Sequence, residues 1–271
     1  MLRLITAAVL VPALWLAIKV APPRIFYVVT TVAIVGAVWE CYRMLARRGA
    51  RPLVWLGLAA SAGVVWAYAE SPPLLEPSQP LIALLLVCTI SAMWMRPGPE
   101  PILETLVNTV FPVVFIGLTM GHVVALRAVP GRDGSDLVTL LFVCVIVGDT
   151  AAYYVGTSIG RHKMSPLISP NKSWEGFAGA MVGSVLGALV AHFWFYQRLP
   201  LWHVVPLGLI LGLTGALGDL AESVFKRACG VKDSSDLIPG HGGIFDRTDN
   251  LLLAPPVLYY YYAWFLQGSG A

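Results

Sequence analysis

Leu-Val-Thr-Leu-Leu-Phe-Val-Cys-Val-Ile-Val, at residues 137–147, is an apolar run that carries no charge and ends at Gly148-Asp149. It forms the centre of a longer stretch, residues 135–157, and about 20 such residues cross the hydrocarbon core of a bilayer as one helix. The run is continuously apolar, whereas a strand of a membrane barrel alternates apolar and polar residues. The sequence therefore predicts a transmembrane helix here.

The composition of the whole chain agrees with a membrane protein. Of its 271 residues, 57% are hydrophobic and only 12% are charged, against about 45–50% and about 25% in soluble domains. So few charges cannot cover so much apolar surface in water, which excludes a soluble enzyme, a disordered chain and a nucleic-acid-binding domain. The net charge of +3 is too small to indicate an electrostatic partner.

Further apolar runs of similar length follow one another along the chain. The first is interpreted as a retained helix and not as a signal peptide, because no A-x-A-like cleavage site ends it. Lysines and arginines favour a cytoplasmic N-terminus and an external C-terminus, since 13 of the 18 then lie inside. The pattern predicts an all-α polytopic membrane protein with about nine transmembrane helices, at residues 3–20, 25–45, 52–69, 80–95, 102–127, 135–157, 175–197, 200–219 and 246–267.

Cysteines and glycines are interpreted as structural. The four cysteines lie far apart, without a C-x-x-C pair or zinc-like histidine spacing, so neither a disulfide nor a structural metal is expected. Glycines recur every four residues in two predicted spans, which lets helix backbones approach closely. They are Gly179, Gly183 and Gly187 in one span, and Gly208 and Gly212 in the next.

Acidic residues at the edge of the membrane are the first functional candidates. Asp219 ends an apolar span, and Glu222 and Lys226 follow it at i+3 and i+7 on the same helical face. An acid at membrane depth is costly, so it is a functional candidate by default. Charges in this region could also keep a loop between two spans in water, but the position of Asp219 in the apolar span favours a function.

The segment after that helix combines a glycine-rich turn with further acids. Pro-Gly-His-Gly-Gly, at residues 239–243, is compact enough for backbone N–H groups to approach phosphate oxygens. Three oxygen-bearing side chains follow on what would be one helical face at the membrane boundary: Asp246, Asp249 and Asn250. Facing Asp219, they would supply the ligands that Mg²⁺ prefers when it also binds phosphates. Structural ion pairs with Arg247 and Lys226 are the alternative.

A second polar constellation lies upstream of these residues. Asp149 is again an acid inside an apolar span. Ser173 is predicted to cap the N-terminus of the following span, with Glu175 in its first turn. Lys172 would add positive charge where the N–H groups of a helix start already attract anions. This pattern favours anion binding at Lys172, and the positive-inside rule is the alternative explanation of its charge.

Both constellations resemble motifs of one enzyme family. Ser-Val-Phe-Lys-Arg-Ala-Cys-Gly-Val-Lys-Asp-Ser-Ser-Asp-Leu-Ile-Pro-Gly-His-Gly-Gly-Ile-Phe-Asp-Arg-Thr-Asp, at residues 223–249, resembles the signature of the phosphatidate cytidylyltransferase (CDP-diacylglycerol synthase) family. Ser-Pro-Asn-Lys-Ser-Trp-Glu-Gly, at residues 169–176, resembles the family's S-P-x-K-[ST]-x-E-G segment, with Ser173 where threonine is commoner. Gly148-Asp149 resembles the acidic motif before it. The resemblance is specific over residues 148–250, and the earlier spans match only in their hydrophobic character.

The resemblance implies a reaction and a setting. Family members are nucleotidyltransferases of phospholipid biosynthesis that convert CTP and phosphatidate to CDP-diacylglycerol and pyrophosphate with Mg²⁺, and they are multi-spanning and commonly homodimeric. It implies an enzyme of the bacterial inner membrane whose partners are CTP, phosphatidate and the bilayer, with no nucleic acid. The lipid stays in the bilayer and the nucleotide in water. We therefore expect a polar cleft at the cytoplasmic face, in a catalytic region of residues 131–271 that follows the N-terminal helices of residues 1–130.

Roles for individual residues follow from the resemblance and the residue chemistry together. We expect Asp219 and Asp246 to hold Mg²⁺, with room for a second cation, and the further candidate ligands are Asp249, Glu222 and Asp149. The expected catalytic residues are Asp219, Asp246, Lys226, Arg227 and His241. The expected substrate-binding residues are Lys172, Ser173, Ser223, Lys232, Arg247, Gly240, Gly242 and Gly243. A phosphate monoester with a second pKa of about 6 is already ionised at neutral pH, so charge neutralisation and alignment are expected to replace a general base.

Other functions remain as alternatives. A cytidylyltransferase for another lipid phosphate is the nearest one. A transporter also buries carboxylates, but it would carry them along a pathway across the membrane and not at one face. A scaffold protein gives no reason for paired acids beside a glycine-rich turn.

Overall fold

The computed structural model describes residues 15–69, 75–237 and 242–267. In these ranges a two-stranded antiparallel hairpin accompanies an otherwise helical chain. The elements in chain order are α1 (Pro23–Arg47), α2 (Val54–Ala67), α3 (Ser78–Met95), α4 (Pro99–Pro112), a π-helical segment (Val113–Leu118), α5 (Thr119–Ala128), α6 (Asp133–Ile159), β1 (Lys163–Ser165), β2 (Ser169–Ser173), α7 (Trp174–Trp194), α8 (Leu201–Ala228), α9 (Phe245–Thr248), a 3-10 turn (Asp249–Leu251), α10 (Ala254–Tyr261) and a second π-helical segment (Tyr262–Leu266).

Residue contacts divide the chain into two compact units. The first unit runs to Ala128 and also includes Lys226–Thr248. The second unit comprises Val129–Phe225 and the residues from Asp249 onward. The sequence-based division kept residues 131–271 together, whereas the contacts assign Lys226–Thr248 to the unit formed by the N-terminal helices.

Apolar side chains of α2, α3 and the first π segment form a core in the first unit. Its fully or nearly buried members are Ala60, Leu84, Cys88 and Val113. Proline begins α1 and α4, where its missing N–H is harmless and its fixed φ suits the first helical turn. Pro112, by contrast, lies inside a helix that runs from Pro99 to Ala128. The backbone takes the π form directly after it, because proline cannot donate the bond that an α-helix needs.

Glycines let three helices of the second unit pack backbone to backbone. A Cβ on Gly183 of α7 would lie 2.6 Å from the Cβ of Ala151 in α6. A Cβ on Gly212 of α8 would lie 3.0 Å from a carbonyl oxygen of α7. Between α6 and α7, the Ser184 hydroxyl also donates to the carbonyl oxygen of Cys144 at 2.9 Å. The close helix approach predicted from the glycine spacing is confirmed.

Six helices in the described ranges are long and apolar enough to cross a membrane: α1, α3, α4 continued through α5, α6, α7 and α8. This supports an integral membrane protein, but nine spans are not confirmed. Residues 3–20 lie largely outside the described residues. The helix in 52–69 has only 14 residues, fewer than a span needs. The stretch 246–267 breaks into short elements, and α10 starts immediately before Pro255 and Pro256, as prolines at a helix start allow.

Candidate active site

Three carboxylates of the second unit come together near the end of α8. Asp219 and Glu222 lie one turn apart on α8, and Asp249 begins the 3-10 turn. One carboxylate oxygen from each lies within 4.8 Å of those of the other two. Glu222 is only 1% exposed. We call these three residues the acidic cluster, and it concentrates negative charge at a partly buried position.

A glycine allows the third acid to approach the other two. A Cβ on Gly218, which precedes Asp219 on α8, would lie 2.7 Å from the carbonyl oxygen of Asp249. Three residues earlier, a Cβ on Gly215 would meet the carbonyl oxygen of Asn250 only at 3.8 Å. The 3-10 turn therefore rests directly on the backbone of α8 at Gly218, and this contact sets the position of Asp249.

Lys172 brings positive charge to the acidic cluster. Its Nζ lies 2.8 Å from Oδ1 of Asp219, and the two side chains are 22% and 25% exposed. An ammonium group has three N–H donors, so one carboxylate oxygen does not exhaust its capacity. Lys172 can therefore pair with Asp219 and contact a further anion.

The hairpin of β1 and β2 holds Lys172 next to the start of α7. Ser173 Oγ accepts a hydrogen bond from the backbone N–H of Gly176 at 3.1 Å, so the predicted helix cap is confirmed. Glu175 in the first turn accepts the backbone N–H of His162, and its Oε1 lies 2.6 Å from the Nδ1 of that histidine. Both contacts tie the hairpin to the helix start. The sequence patterns did not predict this hairpin.

A cavity of about 690 Å³ opens in the second unit beside these groups, a size suited to small-molecule binding. Its walls come from α6, α7, α8 and the hairpin. The polar side chains of the wall include Asp149, Lys163, Asn171, Lys172, Ser173 and Asp219, and the large apolar ones include Val145, Tyr153, Phe177 and Leu211. The cavity thus combines charged groups with an apolar surface, and it brings Asp149, Lys172 and Asp219 to one place.

A different polar group, in the first unit, surrounds Asp246. Its Oδ1 lies 2.8 Å from Nζ of Lys226, and its Oδ2 accepts the backbone N–H groups of Ser234 at 2.9 Å and Gly243 at 2.8 Å. Burial alone would raise the pKa of Asp246, but the hydrogen bonds from Lys226, Gly243 and Ser234 outweigh it and lower the pKa below its ordinary value. Asp246 is therefore an ionised carboxylate that ties Lys226 to the glycine-rich segment.

Gly242 can only be glycine in this arrangement. Its φ of +78° lies in the left-handed region that side chains disfavour. A Cβ at this position would also lie 2.6 Å from Oδ2 of Asp246. The backbone at Gly242 and Gly243 is therefore packed against the carboxylate of Asp246.

Glu40 of α1, which sequence analysis did not single out, accepts four hydrogen bonds from the same segment. Its side chain is 0% exposed. The donors are Ser234 Oγ at 3.0 Å, Ser235 Oγ at 2.5 Å and the backbone N–H groups of Ile244 at 3.1 Å and Phe245 at 2.8 Å. A signal was present, because Glu40 is an acid inside the predicted span 25–45, as Asp149 and Asp219 are acids in theirs.

The exposure of four further predicted site residues is also defined. Three basic ones are exposed: Arg227, Lys232 and Arg247. Arg227 donates to the carbonyl oxygen of Val231 at 3.1 Å. Ser223 is half-buried on α8. Gly240 and His241 lie outside the described residues.

The prediction that Asp246, Asp249 and Asn250 share one helical face is wrong. The helix α9 ends at Thr248, and the chain continues as a 3-10 turn from Asp249. Asp249 accordingly joins the acids of α8 in the second unit, while Asp246 is bonded within the first. Of the two acids expected to hold Mg²⁺ together, only Asp219 belongs to the acidic cluster.

Comparisons with known proteins agree on one family. The chain matches the cytidylyltransferase family over residues 1–265. The phosphatidate cytidylyltransferase of Mycobacterium bovis is 33% identical over 252 residues, which cover 88% of this chain and 80% of that protein. Those of Bacillus subtilis (38% over 154 residues, 56% of each chain) and Staphylococcus haemolyticus (40% over 146 residues, 54% of this chain and 55% of that one) are also similar. The family match covers both the acidic cluster and the Asp246 group, and the chain belongs to the cytidylyltransferase family.

Proposed function

We propose that this protein is a phosphatidate cytidylyltransferase, which transfers the cytidylyl group of CTP to phosphatidate in the membrane and releases pyrophosphate. The observation that carries the proposal is the acidic cluster with Lys172 beside it, at a cavity whose walls include helices apolar enough to span a bilayer. A nucleoside triphosphate needs carboxylates that hold a cation and cationic groups that bind phosphate. A lipid substrate needs adjoining apolar surface. The family match and the named relatives support the same activity.

The acidic cluster fits a Mg²⁺ ion. Three carboxylate oxygens within 4.8 Å of one another are hard ligands of the kind this ion prefers, and their mutual repulsion is relieved by a cation. In the proposal Asp219, Glu222 and Asp249 hold the ion, and Asp149 on the cavity wall is the candidate ligand of a second cation. The bound ion supplies charge neutralisation and polarisation at the triphosphate.

The Lys226–Asp246 pair is assigned to phosphate binding, whereas the acidic cluster is assigned to the metal. Lys226 is 13% exposed in its side chain and lies 2.8 Å from Asp246, so the carboxylate orients the ammonium group. We assign Lys226 to phosphate binding at the signature segment. The exposed Arg227, Lys232 and Arg247 are further candidates for phosphates of CTP or of the lipid. The role of Asp246 as a metal ligand stays a prediction from the sequence.

The proposed reaction needs alignment more than acid–base chemistry. A phosphate oxygen of phosphatidate attacks the α-phosphorus of CTP, and the bond from that phosphorus to the bridging oxygen of the leaving pyrophosphate breaks. The attacking group has a second pKa of about 6, so no residue has to remove a proton at neutral pH. Lys172 would bind and orient a phosphate group, and the apolar wall would keep water away from the reacting groups.

The membrane setting of the proposal follows from charge and substrate chemistry. Positive residues favour a cytoplasmic N-terminus, and CTP is present on that side only. We therefore place the acidic cluster at the cytoplasmic face of a bacterial inner membrane. A homodimer is proposed from the family resemblance.

An assay of CDP-diacylglycerol formation tests the proposal. Purified protein in lipid nanodiscs is given radiolabelled CTP, phosphatidate and Mg²⁺, and the lipid product is separated and counted. Asp219→Asn should lower kcat/KM by about a hundredfold or more, because a metal ligand has more effect than the outer groups that orient it. Asp133→Asn is the matched control, since this acid of the same unit pairs only loosely with the exposed Arg198 at 3.4 Å.

Each outcome of the assay separates the alternatives. Absence of CDP-diacylglycerol from the wild-type reaction would rule the proposal out. A higher kcat/KM with polyprenyl phosphate or another lipid monophosphate would favour the related enzyme. Equal losses in Asp219→Asn and Asp133→Asn would refute the metal assignment while leaving the reaction in place.

A further inference from the structure

The carboxylate of Glu40 is a charge buried inside the first unit. A buried carboxylate is costly unless hydrogen bonds compensate for its lost hydration. Here each carboxylate oxygen accepts two hydrogen bonds, from donors no farther than 3.1 Å away. A well-packed apolar side chain would serve stability as well as such a group. The contacts of Glu40 therefore point to a task beyond stability.

All four donors come from one short segment that is distant in sequence. The segment of residues 234–245 lies 194 to 205 positions beyond Glu40, and it belongs to the family signature. Two of the donors are backbone N–H groups. At Gly243 the backbone lies so close to the carboxylate that a Cβ would overlap both Glu40 Oε2 and Ser234 Oγ. Glu40 thus holds the described ends of this segment, residues 234–235 and 243–245, against α1.

The same contacts continue from Glu40 to the charged pair of the signature. Ser234 Oγ lies 3.0 Å from Oε2 of Glu40 and 2.9 Å from Oδ2 of Asp246. The Ser234 N–H also donates to Asp246, and Phe245, which donates to Glu40, is the neighbour of Asp246 in sequence. Asp246 in turn lies 2.8 Å from Lys226. The single proton of the Ser234 hydroxyl is shared between the two carboxylates, so continuous polar contacts join Glu40 to Lys226 through Ser234 and Asp246.

We propose that Glu40 is a positioning residue for the cytidylyl transfer: it holds residues 234–235 and 243–245 where they fix Asp246 and, through it, the ammonium group of Lys226. The expected effect of Glu40 on catalysis rests on the proposed function. The positions of Glu40, Asp246 and Lys226 rest only on the hydrogen bonds within the first unit. Helix α1 thus contributes to the position of the Lys226 ammonium group. Glu40 itself contacts neither substrate nor metal in this role.

Glu40→Gln is the decisive substitution because it keeps the size of the side chain and replaces one acceptor oxygen with an N–H donor group. Two of the four donors would then face another donor. We expect kcat to fall by about 10- to 100-fold, as for other groups that orient a functional residue, with little change in the KM for CTP. Glu40→Asp keeps both acceptor oxygens on a shorter side chain and should recover part of the rate.

Tyr42→Phe is the matched control for burial and stability. Tyr42 lies two residues along α1, is 1% exposed, and donates one buried hydrogen bond to the carbonyl oxygen of Thr109 at 2.7 Å. This hydrogen bond joins α1 to α4 and does not involve residues 234–235 or 243–245. Loss of this bond should lower Tm and leave kcat unchanged. Hydrogen exchange gives a second measurement, in which the amides of residues 243–245 should exchange faster in Glu40→Gln and not in Tyr42→Phe.

The results distinguish positioning from simple stabilisation. A wild-type kcat in Glu40→Gln, or an equal loss of kcat in Tyr42→Phe at the same folded fraction, would overturn the proposal. If Glu40→Gln does not fold, Ser234→Ala decides, since it removes the hydroxyl between the two carboxylates: a reduced kcat supports the proposal and a wild-type kcat refutes it. If the wild type makes no CDP-diacylglycerol, the proposed function fails. Independently of that result, hydrogen exchange at residues 243–245 that is the same in Glu40→Gln and in the wild type would refute the geometric role of Glu40.

Discussion

Replacing Gly218 with alanine should weaken the proposed metal site without altering any carboxylate. The added Cβ would lie 2.7 Å from the carbonyl oxygen of Asp249 and 3.5 Å from Cβ of Leu252. A carbon and a carbonyl oxygen in contact need a separation of about 3.3 Å. The backbone at Asp249 must therefore retreat by about 0.6 Å, the difference between these two distances.

The functional effect of that shift follows from the geometry of magnesium. Mg²⁺ requires nearly ideal octahedral coordination at about 2.0–2.1 Å, so a ligand displaced by several tenths of an ångström binds poorly. A misplacement of about 1 Å costs about a hundredfold in rate, and a shift of about 0.6 Å should therefore cost roughly tenfold. We expect a similar rise in the Mg²⁺ concentration that gives half-maximal activity.

Gly215→Ala is the matched control on the same helix. Its added Cβ would meet the carbonyl oxygen of Asn250 at an ordinary distance of 3.8 Å. Both substitutions favour the helix by about 1 kcal/mol, but only Gly218→Ala adds an overpacking cost of about 1–3 kcal/mol. Gly215 also lines the cavity, so the two variants are compared by their Mg²⁺ dependence and not by kcat.

The assay measures CDP-diacylglycerol formation over a range of Mg²⁺ concentrations for the wild type and both variants. Thermal unfolding of each protein shows whether it is folded at the assay temperature. The same half-maximal Mg²⁺ concentration in Gly218→Ala and Gly215→Ala would refute the reasoning, because the contact at Asp249 is the difference between them.

Two further predictions concern charged groups. Lys172→Met removes the ammonium group 2.8 Å from Asp219 and should raise the KM for CTP by about tenfold or more, the usual effect of losing a charged hydrogen bond. Arg161→Met, which removes an exposed positive charge, is its control. Equal KM values for CTP in the two variants would count against a phosphate-binding role of Lys172. The lowered pKa of Asp246 means that its ionised form stabilises the fold above its ordinary value of 3.8 and that this contribution is lost as the pH falls through the lowered value. As the pH falls below about 4, the Tm of the wild type should fall more steeply than that of Asp246→Asn, and parallel curves would contradict the assignment.

Sequence patterns predicted the features that depend on local spacing. One turn of helix separates Asp219 from Glu222, so their common face could be predicted without coordinates. The cap at Ser173 and the close packing at Gly183 follow from equally local rules. Each of these predictions needs only the geometry of a regular helix.

Two kinds of feature could not be predicted from local spacing: a change of backbone form, and contacts between residues far apart in the sequence. The helical spacing assumed for Asp246 and Asp249 fails because the chain turns to a 3-10 form between them. The partners of Glu40 lie about two hundred residues away, beyond any periodic pattern. Its position as an acid in an apolar run was visible, but its four donors became known only from the fold.

The glycine repeat at Gly179, Gly183 and Gly187 has a consequence for the relative height of two helices. A surface that repeats every turn remains nearly complementary when one helix slides past the other by about 5.4 Å, so glycine packing alone leaves α6 and α7 with neighbouring translational states of similar energy. The hydrogen bond from Ser184 to Cys144 is not repeated along the seam and is satisfied in only one of them. A single hydroxyl thereby selects the relative height of Asp149 on α6 and Lys172 just before α7, which line the same cavity.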